Sequence, residues 1–320
     1  MLIKSADDKS KRLDLLKSLQ DSAMLDDRQH RWLRDEFFRL QQGISGERDA
    51  AHYIDAHFAD SENHAVIHDL RLQVDGEVAQ IDHLIVSRAL VFYLLETKSF
   101  GGDLQINEQG EFSVKYAGRS VYGIESPLEQ SRRHEKVLRK LLGTLGIAGR
   151  AGADLQFEHV VLIHPRGTIQ RPDSKRLDTS NVIKADQFKT WHEKFVNSSS
   201  VMEVLGLMVN LRGSNTVREV AQKIARQHRP TDLLALPDFM RPSASAQPTT
   251  ASQRAQPNRK SHYPSEDLRP PDRNGDEPRK QLICASCGAK ITFSEGKFCW
   301  NNPKRFGGLQ YCRQHQADFA

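Results

Sequence analysis

The densest apolar stretch of the chain lies between Gln80 and Lys98, where Leu84 to Val86 and Ala89 to Leu95 are interrupted only by Ser87-Arg88. Its β-branched and aromatic residues predict two adjacent strands joined by a tight turn. Both strands carry charge at one end: Asp82 stands near the start of the first, and Glu96 and Lys98 close the second. Because side chains on a strand alternate faces, Glu96 and Lys98 fall on the same face. A carboxylate and an ammonium can therefore point into one site.

On either side the pattern changes period. Leu13, Leu15, Leu16 and Leu19 predict one helix, and Trp32, Leu33, Phe37, Phe38 and Leu40 a second, with Asp26 or Asp27 as N-cap and Gly43 as stop. From Ser45 a further helix is predicted, with Ala50, Ala51, Ile54 and Phe58 as its apolar stripe. Glu47 lies in its first turn, where a carboxylate complements the helix dipole. A strand follows over residues 64–74, closed by the turn signal Asp75-Gly76. Beyond the hairpin and Gly101-Gly102 come two short strand candidates, residues 103–106 and 111–116. Ser126-Pro127 then opens a long amphipathic helix as cap and first residue. Its polar face carries Arg132, Arg133, Lys136, Arg139 and Lys140. Residues 157–164 read as a strand buried on both faces, and helical patterns resume at 186–196, 200–211 and 215–228. This order predicts an α/β protein of the mixed α+β kind, a central mixed sheet flanked by helices.

Four segments follow: an N-terminal helical extension (1–42), an α/β domain (43–235), a linker (236–280) and a small C-terminal module (281–320). The linker is rich in Pro, Ser, Gln and charge and has too little apolar content to bury a core. With 320 residues, 27% charged residues, mean hydropathy −0.60 and no apolar window of spanning length, the chain is expected in the cytoplasm, away from membranes. The net charge of +5 and pI near 9.0 agree with an anionic partner without requiring one.

All four cysteines lie in the C-terminal module. Cys284-x2-Cys287 and Cys312-x2-His315 are two close pairs of ligands, the spacing of a tetrahedral, structural zinc site. Cys299 is a fifth candidate that could replace His315. Zinc binding, worth an apparent ~10–16 kcal/mol, would be the folding energy of such a module.

Together, Gly46-Glu47, Gln80-Ile81-Asp82-His83 and Glu96-Thr97-Lys98 followed by Gly101-Gly102 resemble the nuclease-related domain (NERD) family over about residues 43–165. Ser126-Pro127 and Gln130 are similar to that family's N-P-x-x-Q segment, with Ser in place of Asn. The tail is similar to zinc-ribbon modules of the topoisomerase type. The resemblance implies a restriction-endonuclease-like fold of the PD-(D/E)xK group. It also implies a site in which Asp82 and Glu96 hold Mg²⁺ or Mn²⁺, Lys98 orients or deprotonates the attacking water, Glu47 joins the metal shell directly or through water, and Gln130 positions phosphate or water. His83 follows Asp82, but alternation turns it away, which reads as packing. The expected function is metal-dependent cleavage of DNA. The alternatives are a non-catalytic nucleic-acid-binding or recruitment protein of the same fold, and an RNA-processing nuclease.

Overall fold

The structure is a computed structural model that describes residues 1–118, 120–198, 207–240, 284, 289–306 and 310–317. The chain divides into two compact units, Met1–Thr249 and Thr250–Ala320.

The first unit is built on a mixed six-stranded sheet. Its strands in chain order are β1 (Leu2–Lys4), β2 (His64–Val74), β3 (Glu77–Ser87), β4 (Val91–Lys98), β8 (Gln156–Ile163) and β10 (Val182–Lys184), which is also their spatial order. β2, β3 and β4 form an antiparallel meander, while β1 joins β2, and β8 joins β4 and β10, in parallel. Helices cover both faces, as the sequence pattern predicts. One core gathers Leu138 and Leu142 of α3 (Pro127–Thr144) and Val217 and Ile224 of α5 (Ser214–Ala225) over Leu70, Leu84 and Phe92. The opposite core gathers Ala50, Ile54 and Phe58 of α2 (Asp27–Phe58) and Phe188 of α4 (Phe188–Ser198) over Val66, Tyr93 and Leu95. Among the described residues no helix is long and apolar enough to cross a membrane.

A smaller sheet was only half visible in the sequence. β5 (Asp103–Ile106) and β6 (Phe112–Lys115) lie where expected; β7 (Val121–Ile124) and β9 (Ile169–Gln170) extend them to the order β7-β6-β5-β9. Leu104, Phe112 and Val114 of this sheet pack against Val161 and Ile163 of β8. The turn between β3 and β4 takes Ser87 to Leu90, with Leu90 N–H donating to Ser87 O and Leu90 at φ 55°.

Gly43 does not stop a helix. α2 is one element of 32 residues, capped by Asp26 in a reciprocal box with Gln29, and it runs unbroken through the position proposed as a boundary. A Cβ at Gly43 would meet no heavy atom within 4 Å, so this glycine weakens the helix without serving a contact. Gly46, one turn on, is different: a Cβ there would stand 2.6 Å from Ser99 Cβ. The N-terminal half of α2 packs with α1 (Ser10–Gln20) around buried Leu16 and Leu33. Met240 and Leu236 complete that cluster, so residues 236–240, assigned above to the linker, pack on the helical layer. The rest of the proposed linker, 241–280, lies outside the described residues.

In the second unit the described residues form three short helices, α6 (Phe293–Trp300), α7 (Pro303–Phe306) and α8 (Arg313–Gln316). A zinc ribbon implies strands; among the described residues of this tail the regular elements are these short helices, with Lys290 in a single β-bridge. It has a small core of Cys284, Ile291, Cys299, Phe306 and Tyr311.

The two glycines of α2 give opposite expectations. Gly43→Ala should raise the unfolding free energy by about 0.5–1 kcal/mol, since it adds helix propensity in open space. Gly46→Ala should lower it, because Ser99 must give way. Urea denaturation of the two variants checks both signs.

Candidate functional site

The site forms where the β3–β4 ladder ends. Backbone pairing between these strands runs from Val86 and Phe92 to His83 and Leu95 and stops there. One step further, the Asp82 carboxylate takes over and accepts the Thr97 N–H at 2.8 Å. β4 keeps its course because β8 holds it in parallel through to Lys98 and Ile163. Glu96 and Lys98 share a face as alternation requires. The Lys98 ammonium donates to Glu96 Oε1 at 2.8 Å and to Gln130 Oε1 at 3.0 Å. Gln130 reaches this point because Ser126 caps α3, accepting from Glu129 N, with Pro127 in the first turn.

Glu47 enters from α2. The absence of a side chain at Gly46 lets the helix press on Ser99, the residue after Lys98, and this brings Glu47 to the same end of β4. Its carboxylate accepts from Lys9 Nζ at 3.0 Å, and Lys9 also lies 3.2 Å from Asp69 Oδ2. Asp69 further accepts from Gln80 Nε2 at 2.5 Å and from Asp7 N at 3.2 Å. The structure thus draws Glu47, Asp82, Glu96, Lys98 and Gln130 together and adds Lys9 and Asp69, which sequence reasoning missed.

Asp69 has a distinctive backbone. It stands opposite Asp82, between the pairs His68–His83 and Leu70–Ile81, at φ 53°. A left-handed residue inside a strand is uncommon, and aspartate is among those that tolerate it. At this point both strands change the face they turn inward. Ala65 and Ile67, then Leu70 and Leu72, enter one core from β2; Ala79 and Ile81, then Leu84 and Val86, enter the same core from β3. The sequence signal was an acid inside an apolar strand; Lys9, in a polar segment, left none.

Charge in the site is unbalanced. Burial, then the neighbouring charges of Glu96 and Glu47, push the Asp82 carboxyl well above its ordinary value against the opposing Thr97 N–H and Lys98. Burial also raises Glu96, which is 3% exposed, although Lys98 pulls the other way. His134 Nδ1, 3.7 Å from Glu96, adds no charge, because burial and Arg133 lower its pKa to about 4. Four carboxylates therefore face two ammonium groups, an excess of two negative charges when all are ionised. Hard oxygen donors with that excess fit a divalent cation such as Mg²⁺ or Mn²⁺. Asp82 and Glu96, both at this end of the strand pair, could hold such an ion.

Behind the site, His83 packs as expected and also joins a buried chain. His83 Nε2 lies 3.0 Å from Thr97 Oγ1, His83 Nδ1 lies 2.8 Å from His68 Nδ1, and His68 Nε2 lies 3.1 Å from Asp55 Oδ1. With Asp55 as an acceptor, each step has one direction: Thr97 donates to His83, His83 to His68, and His68 to Asp55. Burial lowers both histidines, which keeps them neutral and this order intact.

In the tail, Cys284, Cys312 and His315 are the one group of three or more metal-ligating side chains, among the described residues, whose ligand atoms all lie within 4.8 Å of one another. His315 Nδ1 is 3.1 Å from Cys312 Sγ and 3.7 Å from Cys284 Sγ. Tetrahedral zinc, with bonds near 2.3 Å to sulfur and 2.0 Å to nitrogen, would separate these atoms by about 3.5 Å, so the donors fit it. Cys299 stands outside the cluster, fully buried, with Tyr311 N and Gln316 Nε2 each 3.3 Å from its sulfur. Cys287 lies outside the described residues.

Because the raised Asp82 pKa opposes folding above its unfolded value, Asp82→Asn should stabilise the metal-free protein. The gain should appear above about pH 4, grow as pH rises and level off at the folded-state pKa. Denaturation of both proteins between pH 4 and 9 measures it.

No curated protein and no solved structure matches this chain. Residues 42–164, the span that supplies Glu47, Asp82, Glu96, Lys98 and Gln130, match the family model of the nuclease-related domain.

Proposed function

We propose that this chain is a metal-dependent nuclease that hydrolyses phosphodiester bonds of DNA, with a zinc module in the tail that adds affinity for nucleic acid. The observation that carries this reading is the Lys98 ammonium, hydrogen-bonded to Glu96 and Gln130 beside the perturbed Asp82 carboxyl at the open end of β4. A structural ion pair would balance its charge within the protein; this set leaves an excess suited to a cation and its phosphate ligand.

In this reading Asp82 and Glu96 hold one Mg²⁺ or Mn²⁺. Such an ion, when bound, neutralises phosphate charge and polarises a phosphoryl oxygen. The residues of the chain divide the remaining work. Lys98 presents its N–H groups to the attacking water and to the negative charge that develops on the phosphoryl oxygens as the new P–O bond forms. Gln130 fixes the ammonium so that no reorganisation is needed at that moment. Glu47, clamped by Lys9, acts on the ion or the water from one step further out. The proton released by the water ends on the departing alkoxide as the ester P–O bond breaks. On α3, Arg132, Arg133, Arg139 and Lys140 each pair with a glutamate, so this basic face contributes less to phosphate steering than its count of basic residues suggests.

The tail is assigned Cys284, Cys312 and His315 as zinc ligands, with Cys287, three residues after Cys284 in the sequence, as the fourth. These donors leave no position for substrate, so the zinc is structural.

Purified protein incubated with supercoiled DNA, linear DNA or RNA should yield cleaved DNA only with Mg²⁺ or Mn²⁺. Asp82→Asn and Lys98→Met should each reduce the rate by at least about 100-fold. Equal rates in parent and variants would overturn the site. Preferential cleavage of RNA, or salt-sensitive DNA binding without product under any metal, would turn the assignment toward an RNA-processing nuclease or a binding protein. Metal analysis should find one zinc per chain, lost in Cys312→Ala, while thermal unfolding of the first unit keeps its midpoint.

A further inference from the structure

α2 crosses the active end of the sheet with a cavity on each side. Glu36, Leu40 and Glu47 line one together with Lys9, Asp69 and Gln80. The opposite stripe of the helix, Phe38, Gln42, Ser45 and Asp49 at helical spacing, lines a separate groove of about 580 Å³. Its other wall is the chain that leaves Lys98, Ser99 to Gly102, and the turn that leaves β8, His164 to Gly167. Both walls begin at the site: Ser99 follows Lys98, and His164 N–H donates to Lys98 O.

The chemistry of this groove is specific. Phe38 is 69% exposed, the most exposed aromatic ring among the described residues, and it lines the groove together with Phe100. Gln41 and Gln42 add amide donors and acceptors, and exposed Arg166 adds a cation. The two acids of the lining each have a partner: Asp49 lies 3.4 Å from His164 Nε2, itself in the lining, and Asp103 accepts from Thr168. A ring open to stacking, amides that match the edges of a base and a guanidinium for phosphate form the set that recognises an unpaired nucleotide. A duplex offers its bases no route into such a groove, whereas a single strand does.

The geometry points to a binding groove for an unpaired nucleotide next to the scissile phosphate, with Phe38 as its stacking residue; the substrate is a single-stranded or locally unpaired nucleic acid. This rests on the nuclease reading for the identity of the neighbouring site and goes beyond it in naming the substrate form. Phe38 is a specificity residue, not one that touches the reacting atoms.

The test uses the full-length Asp82→Asn protein and fluorescence anisotropy with a 12-nucleotide oligothymidine and a 12-base-pair duplex, both end-labelled. The single strand should bind more tightly than the duplex. Adding Phe38→Ala should weaken single-strand binding roughly tenfold, and adding Phe38→Trp should preserve it. Because Phe38 is exposed, the alanine variant keeps the fold, which circular dichroism verifies. Equal binding of single strand and duplex, or an unchanged affinity in Phe38→Ala, would overturn the groove. If the parent cleaves DNA and Phe38 has no effect, the groove assignment falls and the nuclease reading stands. Should no metal support cleavage while binding still depends on Phe38, the nuclease reading falls and the groove stands.

Discussion

Burying a carboxylate is the constraint around which this protein is arranged. Glu96 is almost inaccessible at the end of an apolar strand, where an unpaired charge costs several kcal/mol. Lys98 offsets part of that cost from two residues away, and Gln130 holds Lys98 in place. Asp82 raises the demand again by bringing a second carboxylate to the same end of the sheet. The surrounding architecture serves to keep these groups close. β8 pins β4 to its last residue, Asp82 replaces a missing ladder bond, and a glycine lets α2 approach. Stability given up here leaves an electrostatic field that an external cation can use.

What could be read from the sequence followed from periodicity. Alternation alone placed Glu96 and Lys98 on one face, and a cap followed by proline placed Gln130 at the end of the first turn of α3. Glu47 required the resemblance, because a glutamate early in a helix has an adequate local explanation. Lys9 could not be read, and Asp69 showed only as an acid inside an apolar strand. Lys9 depends on how an aperiodic segment folds back over α2, and the partners of Asp69 depend on a left-handed backbone inside a strand. Gly43 misled because glycine commonly ends helices; its cost of about 1 kcal/mol is small beside the burial of Leu33, Ala50 and Ile54 along the same helix. In the tail, ligand spacing picked out Cys284, Cys312 and His315, whose donor atoms lie close together, but said little about the elements between them, of which the described ones are short helices.

α2 does three things that a sequence would assign to separate elements. Its C-terminal half fills a core, its middle carries Glu47, and its N-terminal half overhangs the sheet and divides the space beyond the strand ends into two cavities. Because the helix is unbroken, these roles are mechanically linked. A small rotation about its axis would move Glu36, Leu40 and Glu47 one way and Phe38 and Gln42 the other.

The paired imidazoles behind the site form a joint that works with one proton and fails with two. The 2.8 Å contact between Nδ1 atoms needs one nitrogen bearing hydrogen and one bare. Acid that protonated His68 at that nitrogen would set two N–H groups against each other between β2 and β3. The disturbance would pass through His83 to Thr97, the residue whose amide holds Asp82. The strand that presents Asp82 is thus fastened to β2 by a buried contact that holds only while both imidazoles stay neutral.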